Sequence, residues 1–178
     1  MENLDPKSIW LFFWTSMLRG MFFFIFLAIW ASPFLAIVIG VTKNNILNTI
    51  VFLAIIWIIL FILYVALCYF IAKLTYKYWK YELGEDAFKK ESGIIWKKYI
   101  SIPYERIQNV DIYRGVFARI LGLSDVQIQT AGSSAVYYGR GGLAGMGAEG
   151  RLPGINKDIA EKLRDELIKR AKESKRGI

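Results

Sequence analysis

Apolar residues fill two long runs, and then the pattern along the chain changes character. No residue is charged between Met21 and Val41, and none between Ile46 and Ala72. The first run, 21–41, is long enough to cross a hydrocarbon layer of about 30 Å at about 1.5 Å per residue. The second, 46–72, comes to about 40 Å as a helix, which predicts tilting or projection beyond the bilayer. Pro33 lies inside the first run and predicts a kink, because proline lacks the backbone donor. A cleaved leader is not expected, since the first run is too long and starts too late. Only Thr42–Asn45 separates the runs, so the two helices are expected to form an antiparallel hairpin. Upstream, "SIWLFFWTSMLRG" places Trp10 and Trp14 before the first run. Aromatic residues at that level suit an interfacial helix or simply the start of the first span.

From Tyr78 onward the period becomes that of strands. "YWKYEL" is followed by a turn at Gly84–Asp86, then "AFKKES", Gly93 and "GIIWKKYISI", closed by Pro103. Val110 and Ile112 alternate next, and Ile107 breaks that alternation, which predicts a bulge or corner. "GVFARILG" reads as a short helical element. In "SDVQIQTAG", Val126, Ile128 and Thr130 share one face and Gln127 and Gln129 the other. After "GRLPGI" a helix is expected over about 157–175, capped by Asn156, with Ile159, Leu163 and Leu167 and nearby Ala160 and Ala171 as its apolar stripe. Several antiparallel strands followed by one amphipathic helix predict a sheet or partly open barrel covered by that helix. The chain therefore divides into a membrane anchor, 1–75, and a second domain, 76–178.

Charge orients this arrangement. Lys7 and Arg19 precede the first span, Lys73, Lys77 and Lys80 follow the second, and Lys43 alone occupies the link. The positive-inside rule then predicts that both termini and the second domain are cytoplasmic, in a multi-pass protein of the cell membrane. The net charge of +8 follows largely from this bias, so nucleic acid is not an expected partner. There is no histidine and one cysteine, Cys68, which rules out a disulfide within the chain and argues against a zinc or iron site. No cofactor, small-molecule substrate or catalytic set is expected.

Two groups of residues are candidates for function. Lys73, Lys77 and Lys80 sit where anionic headgroups would be, each contributing about 1 kcal/mol near such a surface. The second group lies in "YERIQNVDIYR": Tyr104, Arg106, Gln108, Asn109, Asp111 and Arg114. There Arg106, Gln108 and Asn109 are expected to satisfy backbone groups at a strand corner and Asp111 to pair with an arginine, or the set forms an interface. The glycine-rich segment 132–150 has no Lys-Ser or Lys-Thr after it, as a phosphate loop requires, and is expected to be a surface loop in which Tyr137, Tyr138 and Met146 offer contact groups.

The order "IPYERIQNVD", "RILGL", "TAG" and "LPGI" resembles the pleckstrin-homology-like domain of YdbS-like bacterial membrane proteins, over roughly 78–170. The glycine-rich segment is longer than that pattern leads one to expect. The resemblance implies an α-helical transmembrane hairpin followed by a mainly-β pleckstrin-homology-like domain with a C-terminal capping helix. Eukaryotic domains of this fold usually bind phosphoinositides with basic residues around the first strand-to-strand turn. Here that turn carries Glu85 and Asp86, so that function does not carry over. The expected role is a non-catalytic interaction or scaffold module at the cytoplasmic surface of the lipid bilayer, working with a protein partner or by self-association. The alternative is a sensor of anionic headgroups.

Overall fold

The computed structural model describes residues 1–39, 46–130 and 150–176. The link 42–45 with Lys43, most of the glycine-rich segment with Tyr137, Tyr138 and Met146, and Gly177 lie outside the described residues. The chain forms two compact units, one of Phe12–Ala72 and one of Met1–Leu11 with Lys73–Ile178.

The first unit is a hairpin of α1 (Ser8–Ile39) and α2 (Ile46–Tyr78). Its cross-contacts fix an antiparallel register. Phe24 meets Trp57, Phe61 and Tyr64, and Phe13 meets Tyr69. As position falls along α1 it rises along α2. Tyr64 donates its hydroxyl to the Met17 carbonyl at 2.7 Å, and Trp57 donates its indole N–H to Ser32 Oγ at 3.1 Å. These polar tips are thus satisfied inside an apolar pair, as a low-dielectric setting demands. The remaining surface is apolar, with Phe22, Phe26, Trp30, Leu47 and Ile58 exposed. Both helices are long and apolar enough to cross a membrane.

Helix boundaries differ from the sequence expectation. α1 begins at Ser8 rather than Met21, as one helix that includes Trp10, Trp14 and Arg19. Charge ends an apolar run but not a helix, and Arg is a good helix former. α2 likewise runs past Ala72 to Tyr78.

The second unit holds two antiparallel sheets. One has the order β1 (Glu2–Asn3), β2 (Lys80–Leu83), β3 (Ala87–Ser92), β4 (Lys98–Pro103). The other has β5 (Ile107–Tyr113), β6 (Leu123–Thr130) and β7 (Gly150–Asn156). A single 3₁₀ turn, Tyr104–Arg106, links them, and α3 (Val116–Leu121) joins β5 to β6. The sheets face each other: a Cβ built on Gly150 would lie 2.8 Å from Ile102 Cδ1 and 3.0 Å from Ile128 Cβ. Between them lie Phe88, Ile102, Val126, Ile128, Leu152 and Ile155, all buried. The expected bulge is present, as a register shift between Ile107 and Asn109.

α4 (Lys157–Arg176) closes the core. Asn156 caps it by accepting the Asp158 N–H at 3.0 Å. Its buried stripe is Ala160, Leu163, Leu167 and Ala171. Ile159 departs from the expected stripe and is 49% exposed, because spacings of three and four put 160, 163, 167 and 171 on one face and 159 beside it. Burying Leu163 and Leu167 contributes about 1.5–3 kcal/mol each.

The first eleven residues belong with the sheets, not with the anchor expected over 1–75. Glu2 and Asn3 pair with Tyr81 and Lys80. Ser8 is fully buried, and a Cβ on Gly154 (φ +72°) would sit 2.5 Å from Ser8 Cβ. Close approach, not composition, recruits this segment.

Candidate functional site

Strand alternation sorts the first sheet into two faces. Tyr81, Phe88, Lys90 and Ile102 lie inside. The opposite face carries a row of direct cross-strand partners, Asn3–Lys80–Glu91–Tyr99. The last turn of α2 comes down beside this row. Together Asn3, Tyr76, Lys77, Tyr78, Lys80, Glu91 and Lys97 line a cavity of about 380 Å³. Three lysines face one glutamate there, and that glutamate is 3.8 Å from Lys97 Nζ. The ammonium groups, two phenols and an amide are hydrogen-bond donors around a net positive space. Charge-assisted hydrogen bonds from such groups suit an anion.

The cavity opens beside the β3–β4 connection. Gly93 adopts φ +108°, and a Cβ there would approach the Trp96 carbonyl to 2.0 Å. Only glycine permits this turn. It explains why "GIIWKK" does not extend the strand as expected, and why β4 starts at Lys98. Ile95 and Trp96 are left 84% and 87% exposed at the tip.

Behind the row lies Lys90, 7% exposed. Its Nζ donates to the Arg151 carbonyl at 2.8 Å and sits 4.8 Å over the Trp79 ring. Burial, with Lys98 and Arg151 nearby, pulls its pKa down to about 8. Tyr81, its cross-strand partner, is pushed up to about 12 by burial and by Glu2. In the second sheet, Arg151 pairs with buried Asp125 at 2.6 Å, and Asp125 also accepts the Gly154 N–H.

The other end of the unit is different. Tyr104 is buried and donates to the Gly84 carbonyl at 2.8 Å. Arg170 reaches the same carbonyl at 2.8 Å and binds Glu166 Oε1 at 2.7 Å. That bond holds the Glu166 carboxyl below its usual range. A cavity of about 460 Å³ beside this knot is lined by Glu85, Asp86, Glu105 and Glu173, with Arg170 as its one cation. It repels anions. Among the described residues no group of three or more carboxylate, thiol or imidazole ligands could hold a metal ion.

The sequence candidates therefore separate. Lys77 and Lys80 converge on one cavity, whereas Lys73 is exposed one turn earlier on α2 and does not line it. Lys97 completes the cluster and was missed, because 17 positions separate it from Lys80 and it reaches the cavity beside Glu91, the strand partner of Lys80. In the second group, Asn109 does serve the backbone, accepting the Val110 N–H at 3.0 Å, while Arg106 and Gln108 are exposed. Asp111 binds Asn109 Nδ2 and Gln129 Nε2 instead of an arginine, because the register sets Gln127 and Gln129 beside it. Arg114, just past β5, turns away to Ser124 Oγ of β6 at 2.8 Å and Glu161 Oε1 of α4 at 3.0 Å, linking α4 to β6.

Two facing antiparallel sheets closed by a C-terminal helix are the framework of a pleckstrin-homology-like domain. The chain belongs to the Bacterial PH domain family, which matches residues 21–171 and so takes in α2 and the part of α1 from Met21 onward. It is 27% identical over 104 residues to the UPF0699 transmembrane protein YdbS of Bacillus subtilis (strain 168), covering 58% of this chain and 56% of that protein. The chain thus spans little more than half the length of that curated relative. No solved structure matches.

Proposed function

We propose that this chain is a membrane-anchored, non-catalytic module that engages anionic lipid headgroups at the cytoplasmic surface of the bilayer. The observation that carries this reading is the convergence of Lys77, Lys80 and Lys97 on one cavity built partly from the last turn of α2. Lys77 lies only five positions past Ala72, where the uncharged run ends. Three ammonium groups near such a surface supply about 1 kcal/mol each.

The test uses the full chain, because Asn3 and the α2 turn both line the cavity. In nanodiscs, hydrogen exchange at residues 76–80 and 93–98 is expected to slow severalfold when phosphatidylglycerol replaces zwitterionic lipid, and to recover at high salt. Equal exchange in both lipids removes the proposal.

A second reading, a protein partner or self-association, draws support from Tyr113, Val116 and Ile120, which are exposed on or beside α3. Crosslinking in intact membranes followed by mass spectrometry distinguishes a second copy from a different protein. Tethering to a membrane raises effective concentration, so weak contacts suffice for either.

A further inference from the structure

We infer that Ile95 and Trp96 form a wedge that enters the headgroup–acyl boundary of the same bilayer leaflet whose lipid fills the lysine cavity. This rests on the headgroup reading above and specifies its ligand as a phospholipid in place, not a soluble phosphate ester. Three observations converge. First, two large apolar side chains of the β3–β4 loop, Ile95 and Trp96, are almost wholly exposed, although each would gain from leaving water. Second, their exposure is built in. Gly93 at φ +108° folds the loop back on the Trp96 carbonyl, so the tip is a tight turn displaying apolar groups. Third, Lys97 and Lys98 directly follow the tip, and Lys97 lines the cavity. Tryptophan prefers the boundary where its ring is in an apolar layer and its N–H in a wet one. An apolar tip followed directly by two lysines matches an anionic leaflet in both layers: acyl chains for Ile95 and Trp96, phosphates for the lysines. A soluble anion needs the lysines but gives no use to the tip.

The experiment separates wedge from cavity in the full chain, reconstituted in vesicles containing phosphatidylglycerol. Trp96→Phe removes one of six tryptophans, and the emission lost between wild type and variant reports Trp96. That difference emission is expected to be strongly quenched by lipids brominated near the headgroup end of the acyl chains, and little by aqueous acrylamide. The reverse pattern overturns the wedge. Hydrogen exchange at residues 76–80, measured on the same samples, reads the cavity independently. If those amides respond to anionic lipid while Trp96 stays open to acrylamide, the wedge fails and the headgroup reading stands. If Trp96 is quenched by brominated lipid but the amides ignore lipid charge, the headgroup reading fails and the ligand assignment falls with it. Ile95→Glu supplies a second check: because the side chain is exposed, folding is retained, and the brominated-lipid quenching of Trp96 is expected to drop. Unchanged quenching in that variant counts against the wedge.

Discussion

β3 has six residues, about 20 Å of extended chain, and the two connections it joins have opposite chemistry. At its start the turn Gly84–Asp86 is acidic, and its carbonyl is held by both Tyr104 and Arg170. At its end the loop Gly93–Lys97 is basic and apolar, with its large side chains in solvent. The first is tied into the core by hydrogen bonds; the second is shaped by one glycine and closed by the Lys97–Glu91 ion pair. In this domain, then, the acidic turn is bound into the fold by its carbonyl. Positive charge has collected at the opposite end, beside α2.

This contrast can be broken from either side. The largest effect is expected from Gly93→Ala, which forces a Cβ against the Trp96 carbonyl in a left-handed conformation. It should cost about 2–3 kcal/mol in urea unfolding of the detergent-solubilised chain. Gly84→Ala, whose φ is not positive, should cost less. The strand between the two ends gives the next effect. The Lys90 pKa is about 8 in the folded chain and ordinary when unfolded. Between those values the unfolded state binds more protons, so stability should rise with pH. The slope is up to about 1.4 kcal/mol per unit from pH 8 toward 10. Above pH 10, Tyr81 reverses this, because its folded pKa of about 12 keeps a proton that the unfolded chain releases. Urea midpoints between pH 8 and 10 measure the rise, and Lys90→Met should flatten it. Arg170→Ala loosens the acidic end, at about 1–2 kcal/mol, with faster exchange at the amides of 84–87 and no change at 93–98. Tyr104→Phe removes one hydrogen bond to the Gly84 carbonyl and should cost about 1 kcal/mol at the same amides.

Much of the framework was legible in the sequence, for physical reasons. Uncharged runs mark apolar helices, and alternation at Val126 and Ile128 marks a strand, although β6 is buried on both faces because β5, β7 and α4 surround it. Asn156 announces the start of α4 because an amide oxygen can take the Asp158 N–H. Ile107 announced a bulge by breaking the period. What sequence could not show was non-local. Lys97 joins Lys80 and Lys77 around one cavity because it lies beside Glu91, which pairs with Lys80, and Asp125 finds Arg151 only across β6 and β7. The apolar character of "GIIW" matched a strand equally well; the left-handed turn at Gly93 decides for a loop. Asp111 had arginines near in sequence and a glutamine near in space.

The pairing of β1 with β2 also sets an order in time. Glu2 faces Tyr81, 79 positions later, with both long helices made in between. At about 5–20 residues per second, the first strand waits roughly 4–16 s on the ribosome for its partner. The first sheet therefore gains its edge only after both long helices have been synthesised. An arrest of translation before residue 80 would leave Glu2–Asn3 without the strand it pairs with.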